Sequence, residues 1–281
     1  MQFISLAGSS MTDPAGTGNN SKLRIFKRSY LYACMLITTV TAHILLVIFI
    51  ATIFRSAFGF GESLVAVPLF ALWVPLNIAV PLSVLMSVTI AGVVVVQDWK
   101  KIHLGSAGGL ILFTLIGIPL GLLLLTSADE RTVKAILGLI ITVFSIYLIT
   151  GKQLSELKTD STKWLLGCGL LAGILGGAYG LNGPPLVIYG AKRRWSAQHF
   201  RATLQGYFLI AGIVGLMGYR LTGLLVPAVI HYYLLSLPVM LPGVFIGRAI
   251  NHRLHGDKFF KYVYFALLAI GLFLLVKVLA G

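Results

Sequence analysis

Two short segments interrupt the apolar runs of this chain: FGFGES at residues 58–63 and YGLNGP at residues 179–184. Each is followed by an apolar stretch that contains proline, and the two segments are displaced by 121 residues. A helix interrupted within hydrocarbon leaves backbone N–H and C=O groups without partners, which is tolerated only against protein or a water-filled cavity. The two segments therefore predict a pair of broken helices around a polar site.

The composition around these segments is that of a membrane protein. Of 281 residues, 58% are hydrophobic and 11% are charged, and the mean hydropathy is +0.94. Soluble domains carry about 25% charged residues, so soluble enzymes, nucleic-acid binders and disordered proteins are excluded. No stretch alternates with the period of two that a membrane barrel strand requires. We expect an all-α, polytopic bundle of about eight spanning helices.

The breaks divide the chain into two similar halves. Gly117 and Gly121 precede a charged break and a last apolar run, and Gly243 and Gly247 do the same later. We therefore expect two repeats with broken helices, inverted relative to each other. The expected boundaries are a polar tail over 1–29, a first repeat over 30–151, a linker over 152–163 and a second repeat over 164–281. The run from Tyr30 to Phe54 predicts an uncleaved first helix.

The basic residues of the loops favour one topology. The stretch from Ser63 to Val96 is too long for one straight span, and we expect it to turn near Pro75 and Asn77. Lys and Arg are concentrated in four loops that follow residues 98, 151, 191 and 247. All four are cytoplasmic, as the positive-inside rule requires, if the chain also folds back near Gly180. This topology leaves both termini outside, which the basic cluster over 22–28 opposes.

The breaks are candidates for an anion-binding site. Glycine lets a chain turn and lets a ligand approach the main chain, as proposed here for Gly59, Gly61, Gly180 and Gly183. Pro184 and Pro185 suit the first turn of a resumed helix. Its N-terminus would present free N–H groups and a partial positive charge to an anion. The alternative is that the glycines only let helices pack closely.

Glu62 is the acidic residue that lies deep within apolar sequence, and Arg55 precedes it by seven residues. A lone charge costs roughly 2.5–3.5 kcal/mol or more at the bilayer centre, so both are expected to pair or to face water. Glu62 is then a proton carrier or gate, with Arg55 as its partner or as an anion contact. A structural ion pair, or an Arg55 that snorkels to the interface, are the alternatives.

Further polar side chains recur in the second half. Arg201 and Gln205 are four residues apart, so they share a helix face, and with Asn182 they are candidate substrate ligands. Arg201 could instead simply end a basic loop. Ser83 and Ser87 show the same spacing in the first half, where a bond to their own helix is the commoner arrangement.

No motif indicates a metal, a cofactor or an enzyme nucleophile. Cys34 and Cys168 lie in separate apolar segments and predict core positions. His252 and His255 lie in a basic loop, where surface positions are expected. No phosphate-binding loop is present. We expect no metal and no cofactor.

The motifs taken together resemble the sulfite exporter TauE/SafE family. The resemblance rests on residues 55–62, 176–185 and 200–208 and extends from about Ile37 to Leu275. It implies a duplicated bundle of about eight spanning helices that moves sulfite or organosulfonates across the bacterial inner membrane. Glu62 and Ser63 stand where relatives often carry further glycines.

Two functions remain open from the sequence. The leading hypothesis is a secondary transporter that exports a small sulfur-containing anion by alternating access. The alternative is a membrane-embedded enzyme that uses Glu62 as acid or base. Expected partners are the anionic substrate, membrane lipid and a second copy of the chain in a homo-oligomer, with no nucleic acid.

Overall fold

A computed structural model describes residues 39–57, 59–98, 104–150, 156–157, 161–195, 197–253 and 257–280. Within these ranges the regular structure is helical throughout, and no strand occurs. In chain order the helices are α1 (Thr39–Ala57), α2 (Glu62–Phe70), α3 (Leu76–Asp98), α4 (Leu104–Ser127), α5 (Glu130–Thr150), α6 (Thr162–Tyr179), α7 (Gly183–Lys192), α8 (Ala197–Leu221), α9 (Pro227–Arg253) and α10 (Asp257–Ala280). The all-α prediction is confirmed for the described chain.

Six helical segments of the described chain are long and apolar enough to cross a membrane, where the sequence predicted about eight spans. They are Thr39–Ala57, Leu76–Val96, Gly108–Ser127, Glu130–Thr150, Thr203–Leu221 and Pro227–Ile250. The predicted tail over 1–29 and the first part of the run from Tyr30 lie outside the described residues. Contacts divide the chain into Met1–His43 and Ile44–Gly281, and every contact discussed below lies within the second unit.

The first break separates α1 from the short helix α2. Gly59 and Gly61 adopt φ angles of 82° and 91°, in the left-handed region that favours glycine. A Cβ atom at Gly61 would also lie 2.7 Å from the ring of Phe54. The chain turns again after α2, over 71–75, and α3 then begins at Leu76. The predicted turn near Pro75 is therefore present.

The second break separates α6 from α7, and there the chain folds back. Gly180 has a φ angle of 68°, and α7 resumes with proline in its first turn as predicted. Lys192, the last residue of α7, lies 4.3 Å from the ring centroid of Trp164, near the start of α6. Helix α7 therefore returns along α6 as a helical hairpin.

The short helices α2 and α7 end at opposite ends of α5. Lys277 of α10 donates a hydrogen bond to the carbonyl of Leu72, just after α2. Its neighbour Val278 accepts one from Arg131 at the start of α5. At the other end, the N–H of Leu157, which follows α5, donates to the carbonyl of Lys192. Helix α2 thus ends beside the start of α5, and α7 ends beyond its far end.

Glycines bring two pairs of parallel helices into close contact. A Cβ atom at Gly121 of α4 would overlap the carbonyl oxygen of Ile174 of α6, and one at Gly247 of α9 would overlap that of Ile53 of α1. Small residues of this kind let helix backbones approach closely in membranes. Cys168 of α6 is buried as predicted.

Two further pairs of helices run antiparallel. In α5 and α10, Gly138 packs against Leu275, and Thr142, later in α5, packs against Gly271. In α3 and α8, Val88 packs against Gly212, whereas Leu209 packs against Gly92, which is later in α3. The second pair carries two side chains of the site described next, Ser87 on α3 and Gln205 on α8.

Candidate functional site

The tips of both broken helices line one small cavity. Its walls include residues 60–64 of the first break and Gly180, Leu181, Gly183 and Pro184 of the second. The volume is about 20 Å³, which is room for about one water molecule. Helices α2 and α7 both begin at this cavity, so two helix N-termini, each with a partial positive charge, converge on it.

Arg55 is the cation of this site and is 2% exposed. Its Nη1 donates to Glu62 Oε2 over 2.9 Å and to Ser87 Oγ over 2.6 Å. Its Nη2 donates to Gln205 Oε1 over 3.1 Å, and the guanidinium carbon lies 4.8 Å from the ring centroid of Phe208. Side chains from three helices, α2, α3 and α8, therefore hold the guanidinium in place.

Glu62 is the first residue of α2 and is fully buried. It forms the predicted ion pair with Arg55 through Oε2. Its other oxygen, Oε1, makes no close hydrogen bond among the described residues, and the hydroxyl of Ser83 also interacts with the carboxylate. The adjacent Ser63 accepts a hydrogen bond of 2.9 Å from Ser83 Oγ, so α3 supports the start of α2.

Gln205 joins the first break to the second half of the chain. Its side-chain oxygen accepts the hydrogen bond from Arg55, and its Nε2 donates to the carbonyl of Gly59 over 2.7 Å. The amide therefore satisfies a backbone group that the break leaves without a helical partner. The Gln205 side chain is 2% exposed.

Asn182 is not among the described residues that line the cavity. It precedes α7 but makes no side-chain cap, and it bonds to Tyr207 instead. The Tyr207 hydroxyl in turn lies 2.6 Å from Thr114 Oγ1, and Thr114 donates to the carbonyl of Gly169. The Asn182 amide thus ties the second tip to α8, α4 and α6.

The structure brings together some of the predicted ligands and not others. Gln205 meets Arg55 and Gly59 rather than Asn182, and the side chain of Arg201 lies outside the described residues. Ser87 accepts a hydrogen bond from Arg55, whereas the sequence favoured a bond from this hydroxyl to its own helix. The four-residue spacing of Ser83 and Ser87 was the signal in the sequence, because the two hydroxyls bond to Ser63 and Arg55, which flank the first break.

The arrangement defines a class of protein. Apolar helices of membrane-spanning length surround a small cavity built from two interrupted helices, a guanidinium and a carboxylate. This is a multi-pass helical membrane protein with its polar site at the helix breaks.

The chain belongs to the sulfite exporter TauE/SafE family, whose model matches residues 44–274. The match includes both breaks and every side chain of the site, and it confirms the resemblance seen in the sequence. Transport across a membrane is the activity that this family's description names. Comparison with curated proteins and with solved structures found no match.

Proposed function

We propose that this protein is a secondary transporter that exports sulfite or organosulfonates across the bacterial inner membrane by alternating access. The observation that carries the proposal is the convergence of two interrupted-helix N-termini and Arg55 on one cavity. Helix N-termini and guanidinium groups are both suited to binding oxyanions. The family supplies the substrate class.

The proposed architecture has six crossings, α3, α4, α5, α8, α9 and α10, with two re-entrant hairpins, α1–α2 and α6–α7. Compared with the six segments of membrane-spanning length, α1 is assigned to a hairpin, and α10, whose described apolar part is the shorter Leu267–Leu279, is assigned as a crossing. The ends of the hairpins lie beside opposite ends of α5, so in this arrangement they enter from opposite faces of the bilayer. The parallel pairs α4–α6 and α1–α9, with the antiparallel pairs α5–α10 and α3–α8, match the contacts expected of inverted repeats.

This architecture agrees with the basic residues of the four loops, whereas it leaves the basic cluster over 22–28 outside. The four basic loops follow α3, α5, α7 and α9, and with six crossings all four emerge on the same face. The positive-inside rule makes that face cytoplasmic. The α1–α2 hairpin then enters from the outside and the α6–α7 hairpin from the cytoplasm.

The volume of the cavity is too small for the proposed substrate. About 20 Å³ holds about one water molecule, whereas sulfite has four heavy atoms. Binding therefore requires one hairpin tip to move. Because the tips enter from opposite faces, displacement of one or the other would open the same site alternately to each side.

The side chains have distinct roles in this proposal. Arg55 presents its guanidinium to the anion, while Gly59, Gly61, Gly180 and Gly183 allow close approach of the main chain. Gln205 and Asn182 hold the two tips, and Arg201, one turn before Gln205, attracts the anion. An inside-negative potential favours export by about 2.3 kcal/mol per charge per 100 mV.

The test is efflux of labelled sulfite and of a sulfonate from proteoliposomes. We expect Arg55→Gln to abolish efflux, and Asn182→Ala and Arg201→Ala to reduce it. Arg220→Gln is the matched control because Arg220 is exposed at the end of α8. Wild-type efflux no faster than that of protein-free liposomes would refute the proposal.

A further inference from the structure

We infer that Glu62 competes with the transported anion for Arg55, so that a proton taken up by Glu62 accompanies each anion that binds. This inference rests on the proposed function because it assigns the coupling at the same site. Protonation removes the charge of the carboxylate, and the anion then takes the place of that charge beside the guanidinium. The proton comes from water on the face to which the site is open.

The ion pair is incompletely satisfied for a purely structural role. Arg55 Nε and Glu62 Oε1 are buried and make no close hydrogen bond among the described residues, and beyond Arg55 the carboxylate interacts with the hydroxyl of Ser83. Buried ion pairs that only stabilise a fold require their remaining donors and acceptors to be bonded. Both residues line the cavity. Their unused hydrogen-bonding capacity therefore lies at the place where a ligand would bind.

The carboxylate of Glu62 lies where the transported anion is expected to bind. Its carboxylate accepts a hydrogen bond of 2.9 Å from Arg55 Nη1, and Glu62 is the first residue of α2. A guanidinium and a helix N-terminus are the two groups expected to bind the substrate. The carboxylate thus already occupies the electrostatic environment that an oxyanion needs.

The other groups around the pair do not supply a charge that could take the place of the Glu62 carboxylate. Helix α3 contributes the hydroxyl of Ser87, α8 contributes the ring of Phe208, and the second break contributes glycine, leucine and proline. Among the described residues that line the cavity, Arg55 and Glu62 are the charged ones. With Glu62 ionised, a bound anion would place two negative charges beside one guanidinium. Protonation of Glu62 leaves the guanidinium paired with one negative charge, that of the anion.

This coupling sets the charge that crosses the membrane. A singly charged sulfonate moves with its proton as an electroneutral pair. Sulfite with two negative charges and one proton retains one net negative charge, so an inside-negative potential still favours its export.

The experiment measures the affinity of the detergent-solubilised protein for methanesulfonate, whose charge does not change between acidic and alkaline pH. In the wild type, affinity falls about tenfold per pH unit above the pH at which Glu62 ionises. Glu62→Gln binds equally tightly at every pH, and Glu62→Asp keeps a pH dependence. Arg201→Gln also keeps it because arginine does not titrate in this range.

A second readout does not depend on any variant. In weakly buffered solution at alkaline pH, a pH indicator detects about one proton taken up per methanesulfonate bound by the wild type. Binding without a pH dependence or proton uptake overturns the coupling and leaves the anion site intact. If neither methanesulfonate nor sulfite binds at any pH, the proposed function itself fails, and the inference fails with it.

Discussion

Arg55 in α1 and Gln205 in α8 are 150 residues apart in the chain and share a hydrogen bond of 3.1 Å. The same amide donates to the carbonyl of Gly59. One side chain of the second half therefore holds both the cation and the tip of the first hairpin. A movement between the halves that changes this contact would alter the position of the guanidinium.

Gln205→Leu tests that link. It removes two buried hydrogen bonds and leaves the Gly59 carbonyl and an Arg55 N–H without partners, at a cost of about 1–3 kcal/mol for each. We expect a lower melting temperature and slower sulfite efflux. Ile213→Ala, on the exposed part of α8, is the control for the helix. A melting temperature equal to that of the wild type would show that the link does not stabilise the fold.

The close contact between α4 and α6 makes a second prediction. Gly121→Ala places a methyl group on the Ile174 carbonyl, and overpacking of this kind costs typically 1–3 kcal/mol. We expect a lower melting temperature in detergent, measured by fluorescence-detected size-exclusion chromatography. Gly108→Ala is the matched control in the same helix because nothing lies within 4 Å of its added Cβ atom. Equal melting temperatures for the two variants would contradict the packing.

The first tip requires glycine for its backbone as well as for space. Gly61→Ala forces a φ of 91° on an L-residue and places a methyl group against Phe54, so we expect strain of about 1–3 kcal/mol. Gly183→Ala, at the second tip, meets only an ordinary contact of 3.5 Å with Phe60 and should fold normally. Thermal melts of both variants check this, and equal stabilities would show that the first tip is not strained.

The entry of the hairpins from opposite faces can be tested by cysteine labelling. In a background with Cys34 and Cys168 replaced by alanine, Trp73→Cys after α2 should react with a membrane-impermeant maleimide added to whole cells. Arg194→Cys after α7 should react only after the membrane is opened. Both positions are exposed. Labelling of both from the same face would be incompatible with inverted repeats.

The sequence was sufficient to locate the breaks and the ion pair. Glycines coincide with Glu62 at the first break and with an asparagine and two prolines at the second, so the ends of α1 and α6 could be predicted to within a few residues. The pairing of Arg55 with Glu62 was one of the alternatives that the cost of two nearby charges in hydrocarbon left open.

Contacts between distant segments could not be predicted in the same way. The bond between Arg55 and Gln205, like the turn of Ser87 toward Arg55 rather than its own helix, depends on how α1, α3 and α8 pack. The number of spans was equally inaccessible, because α1 is long and apolar enough to cross a membrane whether or not it belongs to a re-entrant hairpin.

The most direct measurement is the position of a bound anion in a crystal structure with 2-bromoethanesulfonate, whose bromine is located by its anomalous scattering. The predicted result is a sulfonate group at the N-termini of α2 and α7, bonded to Arg55, with no bound anion in crystals of Arg55→Gln. A sulfonate bound elsewhere in the wild type, with the two tips packed together and Arg55 still held by Glu62, would contradict it.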